Sequence, residues 1–274
     1  MERNRKRIAP AIFAVIALAM SVFILSSRSV QNKMLYYPDQ HLPSGDYLTA
    51  NEMLYWPAEG NGYRGFISAR QTENIRGAIV IFHGNAGTAS DRSYYLKPLT
   101  QLGYRVILAE YPGYGSRNGE PGEKTFVEDA TETLRLVAAQ YGAPIFLVGE
   151  SLGCGVAAAA VRHSPVKIDG LILVTPWETL SSIAKEKVPW LPVKWFLRDK
   201  YDSAENLRNY TGRIAIAGAE MDELIPVRHA KNLYESIKEP AARRMFIIRK
   251  AGHNDWPDYV DQAWWKDVLD FVRG

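Results

Sequence analysis

The chain has 274 residues, 47% of them hydrophobic and 23% charged, with 21 Gly, 15 Pro and one Cys. That supports a globular domain with a full core, and it excludes extensive disorder, an intramolecular disulfide and a Cys-rich metal site. Residues 1–7 hold four basic side chains and one acidic one, which accounts for the net charge of +3; the other 267 residues carry 29 of each sign, so nucleic acid is not expected as a partner.

After the basic heptad come eighteen uncharged residues, 8–25, enough for a helix of about 27 Å. A cleaved signal peptide shares the basic start, but its apolar stretch is usually shorter and ends in a small-x-small site. Ala17-Leu18-Ala19 fits that pattern only in mid-stretch. A buried soluble helix would not need so basic a flank. The expectation is an uncleaved single-pass anchor over residues 1–28, preceding a domain of residues 29–274. The basic excess before the segment places the N-terminus on the cytoplasmic side and the domain across the membrane.

Residues 30–45 are polar, aromatic and Pro-containing, and read as a lead-in lying over the domain. Strands are predicted at 52–56 and 63–68, joined as a hairpin-like edge, and at 77–82, 104–109, 144–149, 168–175, 213–218 and 243–248. Helices are predicted at 88–102, 122–141, 152–163, 226–237 and 257–272 from apolar residues at helical spacing. This alternation predicts an α/β fold with a mostly parallel sheet and flanking helices. Residues 176–212 break the rhythm, with Trp177, Trp190, Trp195 and several Lys. They read as a small cap-like insertion, not a second domain. Either they merely pack against the sheet, or they form an acyl pocket with a basic side toward lipid headgroups.

Gly149-Glu150-Ser151-Leu152-Gly153 joins the strand at 144–149 to a helix rich in Ala. A sharp strand-to-helix turn needs small neighbours, and it would project Ser151 above the sheet as a nucleophile. The bland alternative makes Ser151 a helix cap. The candidate base is His253, just past the strand at 243–248, and the candidate orienter is Asp222, past the strand at 213–218. Asp222 could instead cap the helix at 226, with Glu220 or Glu223 in its place. His41, His163 and His229 are weaker rivals by position. All three chosen residues leave the C-terminal edge of a parallel sheet, where such sheets hold their sites.

His83-Gly84-Asn85-Ala86-Gly87 follows another strand. The N–H of Asn85, with that of Leu152, is the candidate oxyanion hole. His83 is assigned a structural role at the strand end. The loop Glu110-Tyr111-Pro112-Gly113-Tyr114-Gly115-Ser116 lacks the Lys and helix start of a phosphate loop, so it lines the pocket or braces the nucleophile turn. Cys154 reads as a buried packing residue. No His or carboxylate set has metal-ligand spacing, so neither a metal nor another cofactor is expected.

Taken in order, His83–Gly87, Tyr111–Gly115, Gly149–Gly153, Glu220-Met221-Asp222 and Gly252-His253 resemble the α/β-hydrolase superfamily. Within it they look most like the membrane-anchored Bem46-like group and its ABHD-type relatives. The resemblance covers about residues 30–272. It implies an α/β-hydrolase fold with an eight-stranded sheet, a Ser151-Asp222-His253 triad and an oxyanion hole at Asn85 and Leu152. It also implies a serine hydrolase acting on an acyl ester or thioester, with a lipid bilayer as partner. Peptidase-like relatives keep a serine peptidase or amidase as the alternative, and a membrane-tethered binding module with a vestigial triad is the non-enzymatic one.

Overall fold

The computed structural model describes residues 27–70, 74–190, 192–238 and 241–274. The expected anchor at 8–25 lies outside the described residues, among which no helix is long and apolar enough to cross a membrane. The lead-in is more ordered than its composition suggests. Helix α1 (Arg28–Leu35) is followed by a short strand β1 (Tyr37–Pro38) and helix α2 (Gly45–Ala50).

Strands β2 (Met53–Trp56) and β3 (Gly65–Ser68) begin the main sheet. They are followed by β4 (Gly77–Phe82), β6 (Tyr104–Ala109), β7 (Ile145–Glu150), β8 (Gly170–Val174), β9 (Arg213–Ala219) and β10 (Ala242–Ile248). The eight strands lie in the order β10-β9-β8-β7-β4-β6-β3-β2. Only β3 runs against its neighbours; the other pairings are parallel, with Val80 opposite Ile107 on one side and Leu147 on the other. Every residue of β4, β7 and β8 is buried. Their continuous apolar runs follow from helices covering both faces of the sheet. Outside this sheet, β1 pairs in parallel with β5 (Ala86–Gly87), which ties the lead-in to the loop leaving β4.

One face carries Phe126 and Leu134 of α4 (Glu123–Tyr141), Ala157 of α5 (Leu152–His163) and Leu233 of α9 (Arg228–Ser236). The other carries Leu99 of α3 (Leu96–Gln101) and Trp265, Val268 and Leu269 of α10 (Gln262–Arg273). Large apolar side chains buried in this way each contribute on the order of 1.5–3 kcal/mol. Two helices are shorter than their patterns predict. The segment at 88–102 is a 3-10 turn, Ala89–Tyr95, broken at Arg92, before α3 begins. The last helix starts at Gln262, because Pro257 sits in a separate 3-10 turn and the Asp261 side chain caps the Trp264 N–H.

The insertion at 176–212 holds three short helices, α6 (Leu180–Lys187), α7 (Val193–Phe196) and α8 (Ser203–Asn206). Its second half is core: Tyr201 and Leu207 are buried, and Tyr201 packs on Gly155 of α5. Its first half is held from below. His229 of α9 stands 2.9 Å from Glu178 and 3.0 Å from Glu186, and Arg228 also pairs with Glu186. Trp190 and Trp195 stay 75% and 85% exposed. Helix α1 docks directly on this insertion, with Gln31 Nε2 donating to the Phe196 carbonyl at 2.8 Å and Gln31 Oε1 accepting the Arg198 N–H.

Candidate active site

Ser151 sits between β7 and α5 with φ 53° and ψ −116°, a left-handed backbone that costs about 1–3 kcal/mol for a residue with a side chain. The surroundings enforce it. The Ser151 N–H donates to the Val174 carbonyl at 2.9 Å. A Cβ on Gly153 would lie 1.9 Å from the Phe82 carbonyl oxygen, and one on Gly149 would lie 2.6 Å from the Cys154 Cα. Only glycine lets β4 and the start of α5 approach so closely.

His253 follows β10 in a loop that is clamped to the segment after β9. The Glu220 N–H donates to the Ile248 carbonyl, and the Met221 N–H to that of Ala251. This clamp brings three sequence-distant side chains together. Ser151 Oγ lies 3.0 Å from His253 Nε2, and His253 Nδ1 lies 2.7 Å from Asp222 Oδ2. A carboxylate only accepts, so Nδ1 carries the proton and Nε2 is left to accept the Ser151 hydroxyl. That arrangement can withdraw a proton from Ser151 as its oxygen attacks a carbonyl.

The rivals lie elsewhere. Glu220 pairs with Arg249 and accepts the Lys250 N–H at the surface, and Glu223 is exposed. His41 is exposed beside Asp39, His163 is exposed at the end of α5, and His229 is tied to the insertion. Asp222 does support the turn toward α9 as well, because Oδ1 accepts the N–H groups of Leu224 and Ile225. The two readings of Asp222 use different oxygens.

Leu152 is the first residue of α5, so its N–H has no intrahelical partner. The Asn85 N–H has no hydrogen-bond partner among the described residues, while the Asn85 carbonyl and side-chain N–H₂ are both engaged. Its carbonyl accepts the Tyr37 N–H and the Tyr114 hydroxyl, and its side-chain amide donates to the Leu35 carbonyl. The second Gly-rich loop therefore braces the Asn85 loop, not the nucleophile turn: Tyr114 holds Asn85, and the Tyr111 hydroxyl donates to the His83 carbonyl. His83 is fully buried, with Nε2 2.9 Å from Glu110 and Nδ1 2.8 Å from the Gly84 carbonyl. It supports the loop from beneath. Cys154 is buried, and its thiol donates to the Gly149 and Val174 carbonyls.

Two features of the site are not expected from the sequence. One is the hold of β1 and α1 on the Asn85 loop. The other is the contact of Arg92, Tyr94 and Tyr95 with Glu150. The available signal for the second was a carboxylate inside an otherwise apolar strand-turn sequence.

The residues 73–200 match the family profile described as Serine aminopeptidase, S33, which spans Ser151 and stops before Asp222 and His253. An uncharacterized protein of Mycobacterium tuberculosis is 28% identical over 280 residues, covering 100% of this chain and 96% of that one. The lysophosphatidylserine lipase ABHD12 of Macaca fascicularis is 30% identical over 229 residues, covering 75% of this chain and 56% of its own length. An esterase of Pyrococcus furiosus superposes with a TM-score of 0.63 at 13% identity, over 88% of this chain and 99% of that one. Fold, profile and relatives agree: the chain belongs to the α/β-hydrolase superfamily.

Proposed function

We propose that the chain is a membrane-tethered serine hydrolase that cleaves a carboxylic ester or thioester of an acyl chain. The observation that carries this reading is the continuous Ser151–His253–Asp222 hydrogen-bond relay. Ser151 Oγ attacks the acyl carbonyl carbon while its proton passes to His253 Nε2. Asp222 holds the imidazole in the required tautomer and stabilises the cation that forms. The N–H groups of Asn85 and Leu152 receive the developing oxyanion. Collapse breaks the bond to the leaving alcohol or thiol, which takes the proton from His253. Water, deprotonated by the same imidazole, then attacks the acyl-enzyme and releases the acid.

Three observations support an acyl lipid as the substrate class. The uncharged stretch 8–25 precedes α1, and α1 docks on the insertion that exposes Trp190 and Trp195. Exposed Trp beside Lys185, Lys187 and Lys194 suits a headgroup boundary. A relative of 30% identity is named as a lipase. A cavity of about 420 Å³ opens between α6 and α7, lined by Lys185, Pro189, Trp190 and Trp195, and no triad residue lines it. This face therefore meets the bilayer, not the acyl chain at Ser151.

The family profile's description favours one other reading, a serine aminopeptidase. Such an enzyme must meet a substrate ammonium with a free carboxylate. Besides Asp222 on His253, the two buried carboxylates near the Ser151 turn, Glu150 and Glu110, are already committed. Glu150 receives Arg92, Tyr94 and Tyr95, and Glu110 receives His83, Tyr63 and the Ala89 N–H. This supports the ester over the peptide.

The test is kcat/KM across p-nitrophenyl esters from two to sixteen carbons, set against aminoacyl p-nitroanilides. Each methylene that reaches apolar surface adds up to about 0.8 kcal/mol, nearly fourfold. A rise with chain length and no anilide cleavage is expected. Preference for an aminoacyl anilide, or a maximum at acetate, would overturn the acyl-ester reading.

A further inference from the structure

A charged cluster beside Ser151, with Glu150 and Tyr95 buried, Arg92 half-buried and Tyr94 at the surface, has no part in the steps above. Glu150 directly precedes the nucleophile and is 8% exposed. Three donors from one turn meet its carboxylate: Arg92 Nε at 3.2 Å, Tyr95 Oη at 3.0 Å, and Tyr94 Oη. The backbone of that turn leaves helical geometry at Arg92, with φ −100° and ψ 21°. The Arg92 guanidinium also lies against the Asn85 loop. A side chain begun on Gly84 would meet Arg92 Nη2 at 3.4 Å, Ser151 Cβ at 3.6 Å and Glu150 Oε1 at 3.7 Å. One begun on Gly87 would meet Arg92 Nη1 at 3.3 Å. Tyr94 and Tyr95 in turn pack on Trp256, with ring centroids 5.9 and 5.8 Å away, three residues beyond His253. The Asn85 loop, the nucleophile turn and the His253 loop all meet around one ion pair.

The electrostatics of this position are demanding. A lone buried carboxylate next to Ser151 would oppose the oxyanion formed at the substrate carbonyl and favour a protonated His253. Burial works against the charge on Arg92, but Glu150, with smaller contributions from Tyr94, Tyr95 and Asp91, more than offsets this and leaves its pKa raised. Burial and then Glu150 push the Tyr94 and Tyr95 hydroxyls up, so both remain neutral donors. The other charged groups nearby are Asp91 at 3.9 Å from Arg92, the buried His83–Glu110 pair, Asp222 on His253, and Asp255 on the Gly252 N–H.

We propose that Arg92 and Glu150 are positioning residues of this site, whose ion pair locks the oxyanion loop to the nucleophile turn and shields the reacting carbonyl from the Glu150 charge. The proposal rests on the triad reading above, because it acts through Ser151 and His253.

The test uses full-length protein in detergent micelles, with Arg92→Met, Glu150→Gln and the double variant. The readouts are kcat and KM for p-nitrophenyl butyrate across pH, thermal melting, and fluorophosphonate labelling of wild type. Arg92→Met should lose about 100-fold in kcat with KM changed less than about threefold. The acid limb of its kcat/KM profile should move up by about half a pH unit or more, because the uncovered carboxylate favours the imidazolium. Glu150→Gln should move the limb down, because Arg92 is then uncovered. The double variant should recover about tenfold over Arg92→Met, with its limb near that of wild type. A merely structural role does not move the two limbs in opposite directions. Limbs that move together or not at all, or a double variant no better than Arg92→Met, would overturn the proposal. Should Arg92→Met fail to melt cooperatively, the Glu150→Gln limb decides: unmoved or raised, it overturns the shielding. Wild type that takes no label at Ser151 would sink the hydrolase reading, and this proposal with it.

Discussion

Asp222 and His253 face each other at 2.7 Å across loops that leave adjacent strands, and Asp222 divides its carboxylate between two tasks. Oδ2 accepts from the imidazole, and Oδ1 accepts from the Leu224 and Ile225 N–H groups. Substitutions should separate these tasks. Asp222→Asn can keep its oxygen on the turn while presenting an amide N–H₂ to His253, which reverses the tautomer. We expect a loss of about 10³–10⁴-fold in kcat with little change in melting temperature. Asp222→Ala should lose activity similarly and also about 1–3 kcal/mol of stability, because the Leu224 N–H and the buried Ile225 N–H lose their acceptor. Kinetics paired with denaturant melts check both. Equal stabilities of the two variants would contradict the turn role.

Gly153→Ala tests the backbone crossing at the nucleophile turn. The added methyl has no room, since the obstacle is the Phe82 carbonyl oxygen at 1.9 Å and not a movable side chain. We expect misfolding, or destabilisation by more than about 3 kcal/mol with loss of activity. Urea melts of the purified variant decide. A loss under about 1 kcal/mol would mean that β4 and α5 are not so tightly crossed.

Cys154 should be chemically silent in the folded protein. Burial pushes its thiol well above the ordinary value, and the same burial denies access to reagents. Treatment with a chromogenic disulfide reagent at pH 8 should modify no thiol in the native protein and one equivalent in denaturant. Rapid native labelling would contradict the packing of α5 against the sheet.

The membrane reading separates into a tether and a contact face. Full-length protein should stay in the membrane pellet through an alkaline wash if the proposed anchor, the uncharged residues 8–25, spans the bilayer. Trp190→Ala with Trp195→Ala should stay in the pellet as well, but lose several-fold in kcat/KM for long-chain esters presented in anionic vesicles. Its hydrolysis of soluble butyrate should be unchanged, since neither ring touches the triad and both are largely exposed. Release into the wash supernatant would contradict the tether. An unchanged vesicle assay would contradict the contact face.

Much of this architecture is legible in the chain itself, for reasons that differ by element. β4, β7 and β8 are legible because burial on both faces leaves unbroken apolar runs. The placement of Ser151, Asp222 and His253 at one sheet edge is legible because each lies just past a predicted strand of that sheet. The pairing of Tyr37 with Ala86 is not, since a two-residue strand has no period to detect. The break at Arg92 is equally hidden: 88–102 carries leucines at helical spacing, but Arg92 turns away to meet Glu150, 58 residues later. Charged side chains read as solvated until tertiary partners are known, so the carboxylates of Glu150 and Glu110, though set beside apolar runs, do not name their partners.

Every step proposed for the site depends on Ser151 being a nucleophile activated by His253. Incubation of full-length protein with a fluorophosphonate probe, followed by peptide mass mapping, tests it directly. One adduct on Ser151 is expected, absent in Ser151→Ala and slowed by about 10³-fold or more in His253→Ala. A wild-type protein that takes no probe, or one whose labelling is as fast in His253→Ala, would contradict it.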